Sequence, residues 1–284
     1  MRQRLIGLVV FSFWVLSAYA GTINLGSAAD FAVLGEAGVT NTGPSSIYGS
    51  LAGSTGTPTI SGFPPGIVFA PGVLYPGGVA NSGPGTPFGD ATAAFGVANG
   101  LGSFNEGTLN LGAGGLLSLG PGVYSFTSAT VLLNGLLMLD AGGSNDASWT
   151  FQIPFAFTTA AGSSVEVVDA GSSGLFTGSI TWAVGSGATL GTTTTFLGTI
   201  ISQAKTALDT GATIGCGRAI SLDASVTLDN NVIDAFPADC TVTAGGGIIP
   251  PAPIPEPGTF ALLSFALLAM VFLTFRKSHV SSLS

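Results

Sequence analysis

Charge and titratable chemistry are what this 284-residue chain has least of. Charged residues make up 7% of it, against about 25% in ordinary soluble domains, and its one histidine is His279, close to the C-terminus. That scarcity excludes a Ser/His/Asp triad, a Cys/His dyad and a His-ligated metal from the body of the chain, so no catalytic residue, metal or other cofactor is expected. Residues 21–254 hold two basic side chains, Lys205 and Arg218, against 13 acidic ones. Nucleic acid is thereby excluded as a partner, because phosphate binding needs clustered Lys and Arg. The acidic residues are scattered singly and read as solubilising, with no D-x-D-x-D-G calcium loop among them. A polysaccharide-cleaving enzyme would need paired carboxylates; Asp140 with Asp146 and Asp223 with Asp229 are the pairs available, and no further catalytic group converges on either. Low charge beside 46% hydrophobic residues also argues against a helical bundle and against a chain disordered by self-repulsion.

What the chain does have begins at its ends. Arg2 and Arg4, the apolar stretch from Leu5 to Leu16 and the small-x-small step Ala18-Tyr19-Ala20 read as a secretory signal over residues 1–20. Residues 244–257 form a Gly/Pro-rich linker, and residues 258–275 are an uncharged apolar run of 18. As a helix at 1.5 Å per residue that run spans about 27 Å, enough to cross a bilayer. The tail 276–284 opens with Arg276-Lys277, which would stay cytoplasmic. Pro255-Glu256-Pro257 followed by an apolar helix and a basic cluster resembles a PEP-CTERM sorting signal. That resemblance implies an exosortase as a transient partner, transient inner-membrane anchoring through the helix, and a final place at the cell surface, at the outer membrane or outside the cell.

Cys216 and Cys240 are the only cysteines. In an exported chain such a pair reads as a disulfide, a clasp on the last part of the body contributing about 3 kcal/mol on a loop-entropy estimate; two free thiols are the alternative.

The body, residues 21–243, consists of short apolar segments separated by Gly, Ser, Thr and Pro, the pattern of short strands and tight turns. Phe31–Leu34, Ser46–Leu51 and Ile67–Phe69 are examples. One stretch breaks the rhythm. Thr86 can cap, Pro87 suits a first helical position, and Phe88, Ala91, Phe95 and Ala98, with Ala94 and Leu101, make one apolar stripe, which predicts a helix over about 87–105. Gly89, Gly96, Gly100 and Gly102 weaken it by roughly 1 kcal/mol each, so it must lean on a tertiary surface.

After Glu106 the strand pattern returns with a repeat. Leu190, Leu208 and Leu228 are spaced by 18 and 20 residues, and Gly198–Ser202 aligns with Gly217–Ser221. Coils of that length, made of three strands and three turns, predict an all-β, three-faced β-solenoid in which equivalent residues stack about 4.8 Å apart. The aligned outward columns are Thr189, Ala207 and Thr227; then Thr192, Thr210 and Asn230; then Thr195 and Thr213. Thr194 and Thr199 complete the set of polar candidates for a surface of regularly spaced hydroxyls and methyls without ions. Stacked threonines are also good strand formers, and that alone accounts for part of the pattern.

Leu25–Leu34, Val39–Pro44, Ile60–Gly66, Thr189–Thr192, Phe196–Ile200, Thr210–Thr213 and Val226–Asn231 together resemble the bacterial and fungal ice-binding family, in the right order over about residues 22–233. The resemblance implies an irregular right-handed solenoid with one long helix along its axis and a flat face that docks on ice. It implies an ice face drawn from Thr189, Thr192, Thr194, Thr195, Thr199, Thr210, Thr213, Thr227 and Asn230. Several members carry a T-A/G-x-T/N motif. Thr210-Gly211-Ala212-Thr213 matches it, Thr192-Thr193-Thr194-Thr195 has Thr at the small position, and Asn230-Asn231-Val232-Ile233 departs at three of four. The expected function is adsorption to ice with inhibition of recrystallisation. The alternative is a structural or adhesive matrix protein holding exopolysaccharide, for which Trp149, Trp182 and Tyr124 are the aromatics that could stack on sugar; packing in the core is their other role.

Overall fold

The computed structural model describes residues 21–56, 59–105, 111, 117–171, 176–235 and 240. The signal 1–20 and the linker, apolar run and basic tail from 244 onward, including Pro255, Glu256 and Pro257, lie outside the described residues. Among the described residues no helix is long and apolar enough to cross a membrane.

Apolar residues alternating with Thr, Ser and Gly fold into short strands, and among the described residues every strand pairing is parallel. They assemble into three sheets of nine, seven and eight strands. The first sheet runs in the order Leu74–Val79, Ser50–Ser54, Phe31–Gly35, Ala219–Ser221, Thr199–Ser202, Ser179–Val184, Ser148–Ile153, Gly122–Ser125 and Phe104–Asn105. The second runs Thr130–Leu133, Ala156–Thr159, Ala188–Leu190, Thr206–Leu208, Val226–Asp229, Gly38–Thr42 and Thr59–Ser61. The third runs Ile67–Phe69, Ser46–Tyr48, Val232–Asp234, Thr213–Gly215, Thr195–Leu197, Ser164–Val168, Leu136–Asp140 and Leu117–Leu119. The chain visits first, second and third sheet in turn, one coil per round of three strands.

The stack is not in sequence order. Phe31–Gly35 pairs on one side with Ser50–Ser54 and on the other with Ala219–Ser221, so the first coil of the chain lies against the last. The chain starts mid-stack and builds to one end. The helix then takes it past the coils already laid down, and the remaining coils return to the middle.

That helix is Pro87–Gly100. The Thr86 side chain accepts from the Gly89 amide at 3.2 Å and Pro87 opens the first turn, as the sequence predicts. It ends five residues sooner than expected. Gln152 Nε2 in the first sheet donates to the carbonyls of Ala98 and Leu101 at 2.8 and 2.9 Å, satisfying the helix end, and Phe104–Asn105 pairs as a strand with Tyr124–Ser125. Phe88, Ala91, Ala94 and Ala98 are buried, and the first three pack with Phe31, Leu34, Ile201 and Ile220 of the first sheet in a satellite core. Its strands are therefore covered on both sides, which is why Ser148–Ile153 and Ser50–Ser54 are buried at every position.

Between the sheets lies the main core, with a stack of rings along it. Phe151 and Trp182 are 3.9 Å apart by ring centroids, Trp182 is 4.9 Å from Phe196, and Tyr124 is 5.7 Å from Phe151. Each buried indole has a partner: Trp149 Nε1 donates to Leu119 O at 3.0 Å and Trp182 Nε1 to Leu197 O at 3.1 Å. Trp149 and Trp182 are wholly buried and Tyr124 is 8% exposed. The sugar-stacking role considered for them is overturned, and the packing role holds.

Cys216 and Cys240 are joined, with Cα atoms 5.4 Å apart. Cys240 is buried against the main core and its carbonyl accepts from the Phe176 amide at 2.8 Å. Nearby, the Arg218 guanidinium donates to Ala29 O at 2.6 and 3.1 Å and to Ala235 O at 3.1 Å. It ties the start of the described chain to its end. Burial pulls its pKa down to about 10 while Asp30 opposes the shift, so it stays cationic at neutral pH.

Candidate functional site

The outward column of the second sheet is set by register. Leu132 stands beside Thr158, Thr158 beside Thr189, Thr189 beside Ala207, Ala207 beside Thr227, Thr227 beside Thr40 and Thr40 beside Ser61. With about 4.8 Å per strand the column runs about 29 Å. Every member is half-buried or exposed, and from Leu132 to Thr40 the neighbours along each strand point inward and are buried, while Ile60 beside Ser61 is partly buried. The expected grouping of Thr189, Ala207 and Thr227 holds. Thr158, Thr40 and Ser61 extend it in both directions and were not anticipated. The shared Val-Thr step of Val39-Thr40 and Val226-Thr227 was the available signal.

Parallel to it runs a second column, Thr130, Ala156, Gly187, Lys205, Ser225 and Gly38, placed by the same registers and by the bonds Phe157 N to Gly187 O, Ala188 N to Lys205 O and Thr206 N to Ser225 O. On the other side the corner toward the third sheet carries Asp209, Asp229 and Thr42, and with Thr192 and Thr210 they line a shallow groove of about 320 Å³.

The corner explains where the other candidates stand. Backbone bonds from Gly162 to Thr192 O, Thr193 to Thr210 O, Gly211 to Asp229 O and Asn230 to Thr42 O stack Gly162, Thr193, Gly211, Asn230 and Gly43 into one ladder. All five have left-handed φ, of 69, 56, 74, 53 and 85°. The small second position of the four-residue motif is this left-handed corner. Asn230 thus stacks with Gly211, not with Thr210 as the sequence alignment expected. The shorter turn at 229–231 places Asp229 opposite Thr210, whose hydroxyl donates to the Asp229 carboxylate.

The residue after the corner turns inward at Ser163, Thr194, Ala212 and Asn231, and after Gly43 the exposed Pro44 intervenes before Ser45 does the same. All five are buried, and they satisfy the turn from within. Asn231 Nδ2 donates to Asp209 O and Ala212 O, both at 2.9 Å, and Thr194 Oγ1 meets Thr159 Oγ1 at 2.7 Å. Thr194 therefore leaves the surface set. So does Thr199, at 6% exposure: it begins a strand of the first sheet and lines a groove of about 380 Å³ beside Arg218 and the disulfide. Thr195 and Thr213 pair in register as expected but stand on the third sheet. The nine candidates divide into Thr189 and Thr227 on the second sheet, Thr192, Thr210 and Asn230 on its corner, Thr195 and Thr213 around that corner, and two inside. Among the described residues no three metal-ligating side chains converge.

Against known families, the model described as ice-binding-like matches residues 33–234. The chain belongs to that family. Among its ice-binding-like relatives, the ice-binding protein of Nostoc sp. (strain HG1) is 37% identical over 275 residues, covering 96% of this chain and 94% of its own. The crystal structure of an ice binding protein from an Antarctic biological consortium superposes with a TM-score of 0.64 at 35% identity, over 81% of this chain and 95% of that one. The ice-binding protein of the Antarctic ascomycete Antarctomyces psychrotrophicus gives 0.61 at 32% identity, over 75% and 98%. Among the described residues this chain is mostly parallel β-structure with one α-helix, and its structural neighbours are ice-binding proteins.

Proposed function

We propose that the protein adsorbs to ice through the outer face of the second sheet and thereby restrains crystal growth and recrystallisation. The observation that carries this reading is the column Leu132 to Ser61, which has no charged member. The first sheet is covered by the helix, and the third is interrupted on its outside by Glu166 and by the stacked Tyr48 and Phe69 rings. In this reading the three sheets are the faces of a right-handed solenoid, with the second as the flat working face. Hydroxyls and methyls at fixed spacing hold a layer of ordered water; adsorption is the sum of many weak contacts, with no turnover and no cofactor. Thr192, Thr210 and Asn230 border the face, while Thr195 and Thr213 lie off it. Export with surface sorting through Pro255-Glu256-Pro257 fits a protein that meets ice outside the cell. Burial of Trp149, Trp182 and Tyr124 removes the exposed aromatics by which a matrix protein could stack on sugar.

Ala207 is the middle of the column's seven positions, which makes Ala207→Tyr the deciding test. Its ring would stand out from the plane and hold the sheet off a crystal. We expect ice-recrystallisation inhibition to disappear with the melting temperature unchanged. Inhibition as strong as that of the unsubstituted protein would place the face elsewhere.

A further inference from the structure

The outer face of the second sheet carries one cation, Lys205, with the Asp209 and Asp229 carboxylates along its edge toward the third sheet. Lys205 is exposed, between Gly187 and Ser225 in the second column, and it precedes by two residues Ala207, the middle of the first. Thr206 between them is buried, so Lys205 and Ala207 point to the same side, as alternate residues of a strand do. Among the described residues the Lys205 ammonium has no carboxylate or hydrogen-bond partner. The residues flanking it in its column are Ala, Gly and Ser, too short to screen a four-carbon stem.

An ammonium is a compact, strongly hydrated charge on a flexible stem. It orders water around itself radially, in conflict with the planar array that a face of hydroxyls and methyls would impose, and its shell resists removal. Resting on the assignment of the second sheet as the ice face, we propose that Lys205 is a specificity-determining residue that weakens adsorption and divides the face into two shorter strips, one with Thr158 and Thr189, the other with Thr227, Thr40 and Ser61.

The test compares Lys205→Ala, Lys205→Met and Lys205→Arg in thermal hysteresis and recrystallisation assays of the purified protein, with Ala207→Tyr alongside and melting temperatures as the folding control. Met keeps nearly the length of Lys without the charge; Arg keeps the charge. The expected result is at least a twofold rise in thermal hysteresis for the Ala and Met variants and no rise for Arg. A rise with Ala but not with Met would assign the effect to length and overturn the proposal, as would no rise with either while Ala207→Tyr still abolishes activity. In that last case the face stands and the role of Lys205 falls. If Ala207→Tyr leaves activity untouched, the face itself is misplaced and this proposal falls with it.

Discussion

Thr193 is a β-branched residue held at φ 56°, in a region where a branched Cβ meets the backbone and where Gly162, Gly211 and Gly43 serve at the equivalent corners. Strain of this kind costs on the order of 1 kcal/mol or more. Replacing Thr193 by Gly should therefore stabilise the protein by up to about 1 kcal/mol after subtracting the greater freedom of an unfolded glycine, raising the melting temperature by roughly 1–4 °C. A thermal melt checks this; a lower melting temperature would mean that the Thr193 side chain contributes more than its backbone costs. The same corner shows what could not be read from residues alone. Thr192-Thr193-Thr194-Thr195 is four identical side chains, yet the structure puts one at the edge of the second sheet, one in the strained corner, one inside the core and one on the third sheet. Strand alternation predicts every second residue outward. A left-handed residue resets the alternation, and nothing in a run of threonines marks where.

At the scale of elements, the helix was legible because its signals are local: a capping Thr86, Pro87 after it, and small or apolar residues three and four apart. Its end was not, because Gln152, 51 residues after Leu101, supplies the terminating contacts. Its start has a tertiary partner as well. The Asp90 carboxylate accepts from the Ser27 amide at 2.8 Å, the Ser27 hydroxyl at 2.7 Å and the Gly85 amide at 2.9 Å, and these donors, Ser27 first, lower its pKa below the ordinary aspartate value. A carboxylate depressed in the folded state stabilises above its unfolded pKa near 4, and that contribution fades as pH falls through the lower folded value. Denaturation of Asp90→Asn at pH 7 and pH 2 should thus show the variant weaker at pH 7 and nearly equal to the parent in acid. An equal deficit at both would refute the ionic contribution of the clamp. The strand repeat had a similar division. The 18- and 20-residue spacing gave the register of the last coils, whereas the placement of Thr40 and Ser61 beside Thr227 follows from the first coil docking on the last, which no spacing records.

For the whole molecule, closure at mid-stack makes the join between first and last coils the place where it should come apart. Three pairings hold that join: Phe31–Gly35 with Ala219–Ser221, Gly38–Thr42 with Val226–Asp229, and Ser46–Tyr48 with Val232–Asp234. Arg218 and the disulfide reinforce it. Reducing Cys216–Cys240 should cost on the order of 3 kcal/mol, and hydrogen exchange should quicken first in Val226–Asp234 and the strands they meet. Uniform loss of protection across all coils would show instead that the stack melts as one unit.

Arg218 grips Ala29 and Ala235 where the chain passes from the third sheet to the first, the one edge of the body that the second sheet does not share. Both ends of the coiled body therefore emerge behind the proposed ice face. Whatever is joined there, whether an anchor, a fluorescent protein or a solid support, holds the molecule as a handle holds a stamp, with the printing side turned away and left clear.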